Sequence, residues 1–258
     1  MKKCAIGNTS EHCEYFDAPK VGYVVPKNLF GKDSNAKTKK GIPLGYSTYL
    51  IYLAPAKQNK FGKNLCSSAT EGCTQSCLFS AGRGRMKPVE LARKNKADYF
   101  LSDRDGFMTQ VYREIETAVK TSKKTGIPIA VRMNGTSDIP WENIPVTSPS
   151  GKKFSSIIQA FPKVQFYDYT KMRNRKVKQL TNYHLTFSKA DGNDLDVRLA
   201  VNEGMNVAVV FKVVPTTFLG RPVINGDETD LRFLDDKNVI VGLKAKGKAK
   251  KDATGFVV

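Results

Sequence analysis

The amino-acid sequence predicts an α/β protein: an incomplete or decorated TIM-like (β/α) barrel, a single domain behind an irregular N-terminal extension. Three observations predict it. Apolar runs rich in β-branched and aromatic residues recur along the chain. Segments with helical spacing lie between several of them, and polar motifs follow the runs where strands would end.

Residues 1–45 are rich in Gly, Asn and Lys and are expected to wrap the body as loops or short strands, leaving 46–258 as the barrel-like catalytic domain. Strand character follows at 46–53, 127–133, 164–169, 183–187, 206–214 and 239–243. Helical spacing covers 88–101, 106–121, 154–160 and 194–202. Pro88 suits a first helical turn, and Gly126 with Pro128 marks a stop and a restart. Strands separated by helix-length connections imply parallel pairing with right-handed crossovers. The run 127–133 exits into Asn134-Gly-Thr-Ser-Asp138-Ile-Pro-Trp141-Glu142, the next into Asp168-Tyr-Thr-Lys171, and 183–187 into Ser188-Lys189 and then Asp191-Gly-Asn-Asp194. Loops after barrel strands meet on one face and carry the chemistry, and open α/β sheets also bind ligands at strand C-termini. Six strands fall short of a closed eight, so an incomplete barrel is expected.

The chain carries 42 Lys plus Arg against 24 Asp plus Glu, a formal charge of +18, on an ordinary hydrophobic content of 40%. A polyanionic partner is the first expectation. The basic residues are spread through the chain rather than gathered in a tail, with stretches at 37–40, 83–87, 123–124, 171–178 and 244–251. Arg83, Arg85, Lys171, Arg173, Lys246 and Lys248 are the candidate nucleic-acid contacts. No apolar run approaches the ~18 residues of a membrane span. Met1-Lys-Lys-Cys4 leads into no signal-peptide core. The expected setting is the cytoplasm (the host's, if the protein is phage-encoded), with no membrane partner.

Five cysteines without a secretion signal argue against a disulfide framework. Three of them, Cys66, Cys73 and Cys77, are spaced C-x6-C-x3-C. They are candidate ligands for Zn²⁺ or for three irons of a [4Fe–4S] cluster. Either leaves a position for Cys13, His12, His184 or a substrate. The competing reading is that small cysteines fill a tight Gly/Ser/Ala loop. Gly82-Arg83-Gly84-Arg85 follows, a turn able to hold a phosphate through backbone N–H groups and guanidinium forks.

Two histidines, no H-E-x-x-H, no G-x-S-x-G and no P-loop leave acid–base or nucleophilic work to carboxylates. Asp138 and Asp168, both at strand ends, are the candidate catalytic residues. Asn134, Ser137 and Ser188 are candidates to fix a heterocycle or ribose, and Trp141 to stack on a base. The alternatives are a capping Asp138 and a core Trp141. Asp227, Glu228 and Asp230 read as an exposed turn.

These residues carry a resemblance. Asn35-Ala-Lys-Thr38, the cysteine loop with Ser80-Ala-Gly-Arg83, Arg132-Met-Asn-Gly-Thr-Ser-Asp138 and Tyr167-Asp-Tyr-Thr170 look like small bacteriophage-encoded barrel proteins. So does the ending, Gly242-Leu-Lys-Ala-Lys-Gly247 with Gly255-Phe-Val-Val258. The chain resembles the deoxypurine-in-DNA protein A group, DNA relatives of the tRNA-guanine transglycosylases, and also the radical-SAM-like barrels with cysteine clusters. The first resemblance implies that one Asp, Asp138 or Asp168, attacks C1′ of a deoxyguanosine in extruded DNA. Guanine then leaves and a 7-deazaguanine base replaces it, while the second Asp moves protons. The second resemblance implies a [4Fe–4S] cluster on Cys66, Cys73 and Cys77 with S-adenosylmethionine on its open iron, although that family's usual spacing is C-x3-C-x2-C. A third reading, from a different class, is a non-catalytic nucleic-acid-binding protein whose cysteines staple a loop.

Overall fold

Strands buried on both faces lose polar alternation, and Val-Ala-Val-Val-Phe at 207–211 is such a run. The computed structural model describes residues 22–258; Cys4, His12 and Cys13 lie outside them. One sheet is built from β1 (Phe30–Lys32), β2 (Ser47–Ile51), β3 (Ile129–Arg132), β6 (Gln165–Thr170), β7 (Tyr183–Ser188), β8 (Val207–Phe211), β9 (Thr217–Phe218), β10 (Arg221–Asn225) and β11 (Ile240–Lys244). A separate hairpin joins β4 (Val146–Thr147) to β5 (Lys153–Phe154). The order across the nine strands is β1-β2-β3-β6-β7-β8-β11-β10-β9. Every pairing from β2 to β10 is parallel; β1 and β9 are antiparallel edges. All six expected strands are present. β1 lies within the expected extension, so the described part of that segment supplies one edge of the sheet.

Short helices α1 (Ala36–Lys39), α2 (Glu71–Gln75) and α5 (Ile157–Ala160) accompany three longer ones: α3 (Lys87–Ser102), α4 (Arg104–Thr125) and α6 (Asp194–Asn202). Pro88 sits in the first turn of α3. Asp103 caps α4 by accepting the Gly106 amide at 2.9 Å, and Gly126, at φ +71°, ends it in the left-handed region.

The core explains the winding. Ile129, Val131, Phe166 and Leu185 share one sheet face with Phe107, Val111 and Ile115 of α4 and with α5. Farther along that face, Phe187, Val207 and Val209 meet Val197 and Ala200 of α6. Ala130 and Tyr167 point the other way and are covered by Leu231 and Phe233. The long helices therefore lie on one face, and the parallel strands from β2 to β11 follow chain order across the sheet. The sheet ends on two antiparallel edges rather than closing, so the fold is a single-domain α/β structure around an open, mostly parallel sheet. Among the described residues, no helix is long and apolar enough to cross a membrane.

Asp230 corrects the exposed-turn reading. It is 3% exposed, accepts both Arg132 Nη1 contacts at 2.9 and 3.1 Å and the Tyr167 hydroxyl at 3.1 Å, and faces Lys37 at 3.5 Å. A buried carboxylate needs such partners, because desolvation without them costs several kcal/mol, roughly. Asp227 instead pairs with Lys246 at 2.6 Å near the surface.

Candidate active site at the cysteine loop

The loop after β2 carries the three thiols, and the loop after β3 holds it in place. Asp138 N donates to Leu65 O at 2.9 Å, and Cys66 pairs with Asp138 as an isolated parallel bridge. Gly135 N donates to Ile51 O at 2.9 Å, and a Cβ at Gly135 would fall 2.5 Å from that oxygen and 2.6 Å from the Tyr52 ring. Only glycine allows this approach. Cys66 Sγ donates to Thr136 O at 3.5 Å, and burial pushes its pKa up to about 12. Burial also raises the Cys77 pKa.

Lys171, one residue beyond β6, enters the same loop. Its backbone N–H donates to Asp138 Oδ2 at 2.8 Å, while its amine is drawn towards Cys73. The amine lies within electrostatic reach of Cys66 and Cys77 as well. Burial opposes its charge, but Cys73 and Asp138 together raise its pKa. Lys171 thus stands beside the thiols, with its charge held towards sulfur. The cysteines are thiols, not disulfides.

Asp191, two residues past Lys189 in the β7–α6 loop, anchors the cysteine segment from across the sheet. It accepts the Thr70 hydroxyl, the Gly72 amide at 3.0 Å and the Cys73 amide at 3.2 Å. Burial works against its charge, yet these bonds hold its pKa below the usual carboxylate value. A Cβ at Gly72 would run into Asp191 and the Thr254 hydroxyl, so glycine is required here too. Among the described residues, no three Cys, His, Asp or Glu side chains gather closely enough to ligate one ion.

Asp138 lies beside this loop with its Oδ1 buried and without a hydrogen bond. Arg175 Nη1, also without one, faces it at 3.8 Å. Acceptor and donor thus face each other as a buried ion pair, with no room for an atom between them.

The remaining predicted residues are placed elsewhere. Asp168 is fully buried and accepts Asn134 N at 2.7 Å, Asn134 Nδ2 at 3.3 Å and the Tyr183 hydroxyl at 2.8 Å. Asn134 Oδ1 in turn accepts Ser137 Oγ, the Ile139 amide and Trp141 Nε1 at 2.9 to 3.0 Å. Trp141 is 0% exposed between Phe100 and Phe107. Asn134, Ser137, Trp141 and Asp168 therefore hold the 134–142 loop from inside, and no base reaches Trp141. Ser188 is half-buried at the end of β7, and His184 faces Arg232 rather than the thiols. Arg173 is engaged by Glu203 at 2.5 Å and Asp196 at 3.5 Å. Arg83, Arg85, Lys246 and Lys248 are exposed.

Burial pushes the Asp168 pKa up to about 7, against the pull of Arg132, the Asn134 amide, Arg175 and the Tyr183 hydroxyl. Between the unfolded carboxylate value of about 3.9 and that value the folded protein binds the extra proton, so stability falls as pH rises through this window. Relative to Asp168→Asn, the wild type should lose up to about 1.4 kcal/mol per pH unit towards pH 7 and then level off. Urea unfolding of both from about pH 5 to about pH 8 measures it; a flat difference would mean an ionised carboxylate throughout.

Sequence reasoning missed Thr70, Glu142 and Arg175 as parts of this site, and placed Asp191 in a strand-end motif without a role. Asp191 had one signal, its place just after a strand; its partners are 118 to 121 residues away. No curated protein and no solved structure matches the chain. A family model described as gene product 88 matches residues 28–258, nearly the whole chain, which therefore belongs to the gene product 88 family.

Proposed function

We propose that the protein is an iron–sulfur enzyme whose reaction centre is the cysteine loop at the C-terminal ends of the parallel strands. The observation that carries this reading is the gathering of Cys66, Cys73 and Cys77 around the Lys171 amine. The donor set fits a four-iron cluster: each thiolate binds a separate iron, so the three sulfurs need not close on one point as a single zinc requires. Bound there, such a cluster supplies one-electron reduction of a sulfonium co-substrate of the S-adenosylmethionine class. Lys171 offsets thiolate charge, Asp191 fixes the loop, and Asp138 holds the Lys171 amide in place beside it. Chain-order strands with helices on one face support an unclosed barrel, whose strand ends are where such chemistry sits.

Anaerobic reconstitution with iron and sulfide should give brown protein with about four irons per chain and measurable S-adenosylmethionine binding. Colourless protein that takes up one zinc and no iron would overturn the reading.

A second reading, carboxylate-based exchange of guanine in DNA for a 7-deazaguanine, is favoured by the Oδ1 of Asp138, which accepts no hydrogen bond. It leaves Asp138 without the second catalytic Asp, since Asp168 is taken up by the internal network. Asp138→Asn should then abolish exchange in a zinc-loaded, iron-free protein.

A further inference from the structure

Two basic turns, some 160 residues apart in sequence, meet beside the cysteine loop. The chain leaves Cys77 into the turn Leu78–Ser80 and then Gly82–Arg85, which leads into α3. The turn Gly247–Lys251 packs on Leu78–Ser80, so closely that a Cβ at Gly247 would sit 3.1 Å from Ala81 Cβ. Arg83, Arg85 and Lys87 belong to one of these two segments and Lys248, Lys250 and Lys251 to the other, all exposed. None of the six makes an ion pair among the described residues, whereas Lys171, Arg173, Arg175 and Lys246 are all engaged. Leu78 and Met86, 58% and 52% exposed, stand among these cations.

We infer that this composite ridge is the docking surface for a single nucleic-acid strand, the macromolecular substrate of the neighbouring cysteine site. The inference rests on the reading of that site as the reaction centre and names its substrate class. Unpaired cations on adjoining turns offer charge complementary to a phosphate backbone, and exposed apolar side chains beside them offer contact to sugars or bases. A base must leave its stack to be modified, which favours a single strand. An anionic membrane would need a long amphipathic face, and turns of three to five residues provide none. The expected contacts gain Lys87, Lys250 and Lys251 and lose Lys171, Arg173 and Lys246.

The test is fluorescence anisotropy with labelled single-stranded DNA and RNA of mixed sequence across a salt series, with phosphatidylserine vesicles as competitor. The full-length protein is compared with Lys248→Gln/Lys250→Gln, Arg83→Gln/Arg85→Gln and a matched control, Lys123→Gln/Lys124→Gln, at the far end of α4. Each ridge pair should weaken binding at least about tenfold and flatten the log–log salt slope by about 1.4, two single-strand phosphate contacts. The control should leave both unchanged. The proposal is overturned if the control weakens binding as much as the ridge pairs, if the ridge pairs bind like the wild type, or if vesicles displace the strand while binding through the same residues. Iron is determined in each preparation: strand binding through the ridge without iron would sink the cluster reading alone, and iron without strand binding would sink this inference alone.

Discussion

Replacing any one of Cys66, Cys73 or Cys77 by serine is expected to abolish stable iron–sulfur loading, and Asp191→Ala to weaken it about 10–100-fold with every thiol intact. The second effect is the more informative. Asp191 touches no sulfur; it holds the Thr70 hydroxyl and the amides of Gly72 and Cys73. These bonds fix the start of α2, on which Cys73 stands, relative to β7 on the other side of the mouth. Without the carboxylate, the loop must order itself as iron arrives, and that ordering entropy is subtracted from the binding free energy. Asp191→Asn keeps one acceptor oxygen and should fall between wild type and alanine. Lys171→Met tests the other support. It leaves the thiols without their common cation, so their thiolates form less readily and loading should slow. Iron and sulfide per chain, followed during dilution into chelator, read all of these. An Asp191→Ala protein that holds iron as tightly as wild type would falsify the anchoring role.

How much of this was legible in the sequence depends on how local each signal is. Strands such as 207–211 announce themselves, because a run covered on both faces must be apolar throughout. The C-terminal end of α4 was equally plain, since Gly126 and Pro128 act on their own backbone. Strand β10, Arg-Pro-Val-Ile-Asn, next to the sheet edge, is half exposed and gave no such run. Side-chain destinations were harder. Asp230 sits in an acidic stretch that reads as surface, yet Arg132 and Tyr167, 98 and 63 residues away, take it inside. Trp141 and Asp168 belong to motifs at strand ends, and period-2 alternation decides whether such a residue faces the mouth or the core. The alternation sends Asp168 to the helix-covered face with Phe166, where Asn134 and Tyr183 meet it. The basic run at 171–178 concealed three different fates. Lys171 goes to the thiols, Arg173 to Glu203 at the surface, and Arg175 to the interior.

Arg175→Met should cost about 3–5 kcal/mol of stability, whereas Arg173→Met, two residues earlier, should cost no more than about 1 kcal/mol. Both arginines pair with a glutamate at 2.5 Å, and burial separates them. The side chains of Arg175 and Glu142 are each 2% exposed, against 24% and 53% for Arg173 and Glu203. Arg175 grips Glu142 through Nε at 2.9 Å and through Nη2, and donates from Nη2 to the Tyr183 hydroxyl at 2.8 Å. Tyr183 donates onward to Asp168. Removing the guanidinium therefore strands the Glu142 carboxylate in the core and frees the tyrosine that steadies the 134–142 loop. The stranded charge accounts for most of the expected loss, so removing it as well should restore part of the stability. Arg175→Met/Glu142→Leu should be more stable than Arg175→Met alone, with a coupling energy of about 0.5–3 kcal/mol. Urea unfolding of the four proteins of this cycle, with Arg173→Met alongside, gives the numbers. If Arg175→Met and Arg173→Met lost the same small amount, Arg175 would be solvated like its neighbour. The Asp138–Arg175 ion pair would then be open to water as well.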